Sequence, residues 1–181
     1  MEEGYAAASM SSIAARVGGS KGTLYNHFRS KSELFGAVIR ADCEHGQAAL
    51  LGLVTDQGDI VKVLTTLGRA FLRLILSDDV IAFHRMVVAE SARFPEVGEA
   101  HFEAGPRRGK ALVLSVLAKA QAEGQLWMCD PERAADQITD LMLSGLYRRR
   151  LWNIQPRPTE AEMDANVDAA VTLFMRAYRP S

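Results

Sequence analysis

Lys21, Thr23, Tyr25, Asn26, His27 and Lys31 crowd into one short stretch, "GGSKGTLYNHFRSK", from Gly18 to Lys31. Amide, hydroxyl, imidazole and ammonium groups at that density suit either acid–base catalysis or the gripping of a polyanion. Catalysis needs a nucleophile, a base and an acid that converge, or paired carboxylates in a cleft, and no such set is visible along the chain. "GGSKGT" lacks the GxxxxGK[ST] spacing of a phosphate loop, and no strand precedes it. Gripping a polyanion fits better. Tyr25, His27, Ser9 and Lys31 carry donors for phosphate oxygens. Asn26 matches an adenine edge, and the Thr23 methyl matches a thymine methyl. Gly22 lets backbone approach backbone. With Ser11, Ser20 and Lys21, these form the predicted DNA-contact set.

A second group of candidates lies further along. Phe83, His84, Met86, Val87 and Glu90 recur at helical spacing, so they line a ligand cavity, bind a metal or belong to ordinary core and surface. A metal is poorly served, since no second His follows at helical spacing and no Glu-x-x-His pair exists. Met142, Leu146 and Tyr147 share another helix and face either a cavity or a partner subunit. The predicted pocket set is Phe83, His84, Val87, Met142 and Leu146. Trp127 and Trp152 read as packing residues. The arginines of "YRRRL" (147–151) read as solvated, as paired with Glu160, Glu162 and Asp164 across a dimer, or as a second DNA patch. No cofactor is expected.

Helices must position all of these. Alternating apolar runs bounded by turns are absent, and 3.6-residue periodicity is everywhere, so the fold class is all-α with about nine helices. Ser9 opens a first helix with Met10, Ile13, Ala14 and Val17 on one face, and Gly18-Gly19 ends it. A second runs from about Lys21 to Phe28. Ser30-Lys31-Ser32-Glu33 is a capping box opening a third. Two short helices joined by a glycine turn form a helix-turn-helix, with Leu24 as the apolar anchor of the second. Its polar side then fits a DNA major groove. Beyond "TDQGD", Asp59 caps a helix through Ile75. "SDD" separates it from "VIAFHRMVVAESARF", and Phe94-Pro95 stops that one. A helical stretch follows, broken at Gly105-Pro106 and closed by Gly124. Asp130-Pro131-Glu132 starts a helix expected to reach about Trp152. Thr159 to Glu162 is a capping box for the last.

"GYAAASMSSIAARVGGSKGTLYNHFRSKSELFGAVI" closely resembles the DNA-binding head of the tetracycline-repressor (TetR/AcrR) family. The matching residues are Gly4-Tyr5, Ser9-Met10, Ile13-Ala14, Gly18, Ser20 to Tyr25, His27-Phe28, Lys31 and Leu34. A weaker resemblance continues through "RMVVAESARFPEVGEAHFEAGP" and "AEGQL…DPERAADQITDLMLSG". The resemblance implies a helix-turn-helix head over residues 1–42 and a ligand-binding and dimerisation body over 43–181. It implies a homodimer through the last two helices, whose effector, a small molecule, changes the spacing of the two heads on an operator. Two departures stand out. The family has a helix before the Gly-Tyr pair, and Met1-Glu2-Glu3 reads like its last turn, so the head is expected to lack most of that helix. Gly19 stands where the family carries an apolar residue, forgoing about 1–2 kcal/mol of burial.

Composition agrees. The chain has 181 residues, 48 % of them hydrophobic, and a net charge of −1. Residues 4–40 hold five bases against the single acid Glu33, a basic head on a mildly acidic body. No window is long and apolar enough to span a membrane, and the N-terminus does not read as a secretion signal. Cys43 and Cys129 read as reduced thiols of a cytoplasmic protein. The reading is a ligand-responsive, DNA-binding transcriptional repressor, not an enzyme. The alternative is a helical small-molecule binding protein that has shed DNA binding with its first helix.

Overall fold

The computed structural model describes residues 26–28, 30, 33–34, 36–37, 40–41, 50, 52, 58–128 and 130–180. Every regular element among them is an α-helix, as the periodicity requires. From residue 60 onward the helices are α1 (Ile60–Ile75), α2 (Asp78–Ser91), α3 (Pro95–Ala104), α4 (Pro106–Ala122), α5 (Pro131–Leu143), α6 (Leu146–Leu151) and α7 (Glu160–Tyr178). The expected count of about nine set three helices in the head, largely outside the described residues, and six in the body. The body has seven, because the helix expected from Pro131 to Trp152 is two.

The starts follow the local chemistry. The Asp59 carboxylate accepts from the Val61 N–H at 2.9 Å, and the Gln125 side-chain oxygen accepts from the Ile60 N–H at 2.7 Å. Two of the four donors that a helix start leaves unused are thereby satisfied. Asp130 caps α5 through the Arg133 N–H at 3.0 Å, which holds its carboxyl below the usual range. Thr159 and Glu162 form the full reciprocal capping box of α7. The "SDD" segment is not the separator the sequence suggested. Ser77 is the cap of α2, and Asp78 and Asp79 are its first turn, where acids favour the helix dipole. Gly105 parts α3 from α4, each opened by a proline.

Two apolar clusters form. The larger gathers α1, α4, α5 and α7 around Leu64, Leu72, Leu117, Ile138, Val167 and Phe174. Gly68 lets α1 approach closely. A Cβ there would stand 2.8 Å from the Met142 methyl and 2.9 Å from Val167 Cγ1. The smaller cluster is Phe83, Val87, Val97 and Ala104, between α2 and α3. Polar links finish the body. Arg69 pairs with Asp164 at 3.0 Å and Arg73 with Glu160 at 2.6 Å, tying α1 to α7. Lys110 reaches Glu132 at 2.8 Å and Asp136 at 2.9 Å, tying α4 to α5. Glu160 and Asp164 are thus engaged within the chain, by arginines other than those of "YRRRL". Such exposed pairs contribute little each.

Candidate DNA-reading helix and effector site

Of the predicted DNA-contact residues, Asn26 and His27 are described. Both are helical and exposed, and Phe28 is half-buried. Ser9, Ser11, Ser20, Lys21, Gly22, Thr23, Tyr25 and Lys31 lie outside the described residues, as do the first helix and the glycine turn. The capping box after them is visible in half: the Glu33 N–H donates to Ser30 Oγ at 3.1 Å. The helix it opens meets the body where Gly36 is buried, with the Ala100 Cβ 3.9 Å from the place its own Cβ would take. Beside that crossing is a recess of about 560 Å³ lined by Arg40, Glu96, Glu99, Glu103 and Arg107. The segment after Asn26 and His27 therefore packs on α3.

α3 also lines the chemical centre of the body. His84, on α2, is 9 % exposed. Its Nδ1 shares a hydrogen bond of 2.9 Å with the Tyr147 hydroxyl of α6. His101, on α3, stands edge-on to it, ring centres 4.9 Å apart. Phe83 meets His101 edge-on at 5.4 Å. Burial, and after it the charge His101 would carry, holds His84 down at about 4. Burial alone lowers His101 and raises the Tyr147 phenol. All three groups are neutral at neutral pH, so the cluster is polar without being charged. His101 Nδ1 is buried and has no hydrogen-bond partner among the described residues. No group of three or more His, Cys, Asp or Glu among the described residues could hold a metal ion.

Of the predicted pocket set, Phe83, His84 and Val87 come together on the buried face of α2. Met142 and Leu146 pack with the larger cluster. Tyr147 joins the two, its ring against the larger cluster and its hydroxyl on His84. Sequence reasoning missed His101, although Val97, His101 and Ala104 share one helical stripe. It also read Arg150 as solvated, or as paired with Glu160, Glu162 and Asp164 across a dimer. Arg150 is 6 % exposed and pairs with Asp78 at the start of α2. Arg85 answers from α2, donating to the Leu151 carbonyl at 2.8 Å, the Arg150 carbonyl at 2.5 Å and Asn153 Oδ1 at 3.3 Å.

The all-helical fold has known counterparts. Residues 1–38 match the family described as bacterial regulatory proteins, tetR family. Residues 62–180 match the AefR-like transcriptional repressor, C-terminal domain. The chain belongs to the TetR family. Solved structures agree. A TetR-family transcriptional regulator from Mesorhizobium loti MAFF303099 superposes with a TM-score of 0.88 at 26 % identity, over 98 % of this chain and 90 % of that one. The flavonoid-responsive regulator FrrA gives 0.84 at 31 % identity, over 99 % and 90 %. A TetR-family regulator from Pseudomonas syringae pv. tomato str. DC3000 gives 0.73 at 26 % identity, over 97 % and 88 %. No curated protein matches the chain. Fold and family matches are those of a DNA-binding transcriptional regulator. Among the described residues no helix is long and apolar enough to cross a membrane.

Proposed function

We propose that this TetR-family protein is a cytoplasmic, homodimeric repressor that leaves a near-palindromic operator when a small molecule enters its body. The observation that carries the reading is the uncharged imidazole–phenol cluster of buried His84 and half-buried His101 and Tyr147, which includes a residue of α3, the helix that Gly36 crosses. A polar centre in the interior without a catalytic set around it is suited to recognising a ligand. The name of FrrA, at 31 % identity, supports the same reading.

In this reading residues 1–42 are the head and 43–181 the body. Lys21, Gly22, Thr23 and Asn26 face base edges. Ser9, Ser11, Ser20, Tyr25, His27 and Lys31 hold phosphates. Two copies pair through α5 and α7. Their outer face carries a groove of about 410 Å³ lined by Gln137, Asp140, Leu141, Leu173 and Ala177, with Leu173 54 % exposed. The effector favours a state with the wrong spacing of heads, and needs a few kcal/mol of preference for it to empty the operator.

Gel shifts against the DNA upstream of the gene test this. The parent chain should retard that DNA ahead of unrelated duplex. Asn26→Ala should relax its sequence preference by about 1–3 kcal/mol at one base step, while Lys31→Ala weakens all sequences alike and flattens the salt slope. Binding by both variants equal to the parent contradicts the groove assignment. A chain that binds aromatic ligands but no DNA returns the protein to the alternative of a ligand binder that has lost its operator.

A further inference from the structure

Tyr147 arrives at His84 on an element unlike its neighbours. α6 has only six residues and is entered through Gly145, whose φ of 77° is a conformation that L side chains rarely adopt. Its attachment to α2 is polar. Tyr147 holds His84, Arg150 holds Asp78, and Arg85 holds the carbonyls at the helix end. Leu146 and the Tyr147 ring keep an apolar footing on the larger cluster, while the polar ties to α2 are of a kind that is exchanged for others at little net cost. The attachment is also incomplete, because Arg150 Nε is buried with no hydrogen-bond partner among the described residues.

The second observation is His101 Nδ1. A buried nitrogen left without a partner is rare in folded chains and calls for an explanation. It lies in the same aromatic cluster, with Phe83 edge-on at 5.4 Å and His84 edge-on at 4.9 Å. Tyr147 fills the position across His84, edge-on at 5.7 Å with its hydroxyl on Nδ1. A planar ring bearing a hydroxyl is thus already seated against His84, and a neighbouring nitrogen is still unserved.

We infer that the Tyr147 phenol is the chain's own occupant of the effector site, and that the effector is a neutral phenol that displaces it from His84 and gives His101 Nδ1 its missing partner. This deepens the ligand-responsive reading above and rests on it. The class follows from the side chain now in place: an aromatic ring and one hydroxyl, which donates to or accepts from either imidazole tautomer. The cluster itself carries no charge that would draw a carboxylate, since burial keeps both imidazoles neutral. Displacement of Tyr147 frees α6 to turn about Gly145, shifting Arg150 and the carbonyls that Arg85 of α2 holds, so occupancy is transmitted to α2 and through its packing to α3, where Gly36 crosses.

Calorimetry on the full chain tests the inference, with para-phenylphenol as probe and para-methoxybiphenyl as its match without the donor. The parent should bind the phenol at least about tenfold tighter than the ether. Tyr147→Phe keeps the ring and removes the competing hydroxyl, so it should bind the phenol several-fold tighter. His101→Phe preserves the aromatic packing and should bind it about tenfold more weakly. Equal affinity for phenol and ether, no binding of the phenol, or a Tyr147→Phe chain no tighter than the parent overturns the inference. A gel shift with the same probe separates it from the wider reading. If the phenol binds as described and the operator is still held at saturation, the site stands and the repressor reading falls. If an anionic ligand empties the operator equally in parent and Tyr147→Phe, the repressor stands and this site falls.

Discussion

His84 is the residue at which acid reaches this fold. Its imidazole titrates at about 4 in the folded chain, held down first by burial and then by His101, against 6.5 when unfolded. A depressed imidazole contributes stability that is fully present above about pH 6.5 and is lost as pH falls toward 4, because only the unfolded state takes up the proton in that window. The loss for His84 is about 3 kcal/mol, and His101 adds in the same direction. Urea midpoints should therefore hold steady above neutrality and fall through that window. His84→Phe should be less stable at neutral pH yet lose less on acidification, and an unchanged acid slope would contradict the burial of this imidazole. His84 was legible in the sequence, because Phe83, His84 and Val87 recur on one helical face. His101 was not singled out, and Arg150 was misread as solvated. What burial does to a charge depends on the helix packed across it, and neither the α3 stripe nor the Asp78 carboxylate is adjacent to those residues in sequence.

At the scale of elements, the starts were legible and one interior was not. Asp59, Asp130 and the Thr159–Glu162 box cap where their side-chain types said they would, since a cap is a contact between residues two or three apart. The break at Gly145 was read through, because apolar periodicity runs on from Ile138 to Leu146. The backbone there takes φ 77° and ψ −45°, and the Asn166 side chain donates to the Met142 carbonyl at 2.6 Å, serving a helix end that no longer propagates. Gly145→Ala has open space for its Cβ and should still destabilise by about 1–3 kcal/mol through backbone strain. Gly68→Ala, in a regular helix, should cost about 1–3 kcal/mol for the opposite reason, overpacking against Met142 and Val167. Thermal melts of the two variants check both, and the pair separates by rescue. Met142→Ala should recover part of the Gly68→Ala loss and none of the Gly145→Ala loss.

At the scale of the molecule, the all-helical class and the order of helices through the body followed from periodicity, and the head followed from a dense local motif. Assembly did not follow in the same way, because an apolar stripe serves a chain's own core and a second copy alike. Met163, Val167, Val171 and Phe174 are spent on the body's own cluster, whereas Leu173 stays 54 % exposed at the edge of the groove on α5 and α7. Leu173→Glu should therefore yield a folded monomer by sedimentation, with operator affinity reduced well beyond tenfold because two heads no longer bind together. A dimer that persists in Leu173→Glu would move the interface elsewhere. The central claim is that paired heads, each with Asn26 and His27 outward, read one near-palindromic operator. A nuclease footprint of the full chain on the DNA upstream of its gene tests it most directly. The account predicts two protected inverted half-sites, one or more helical turns of about 34–36 Å apart, lost together in Leu173→Glu. Uniform protection along the duplex, or none, would contradict it.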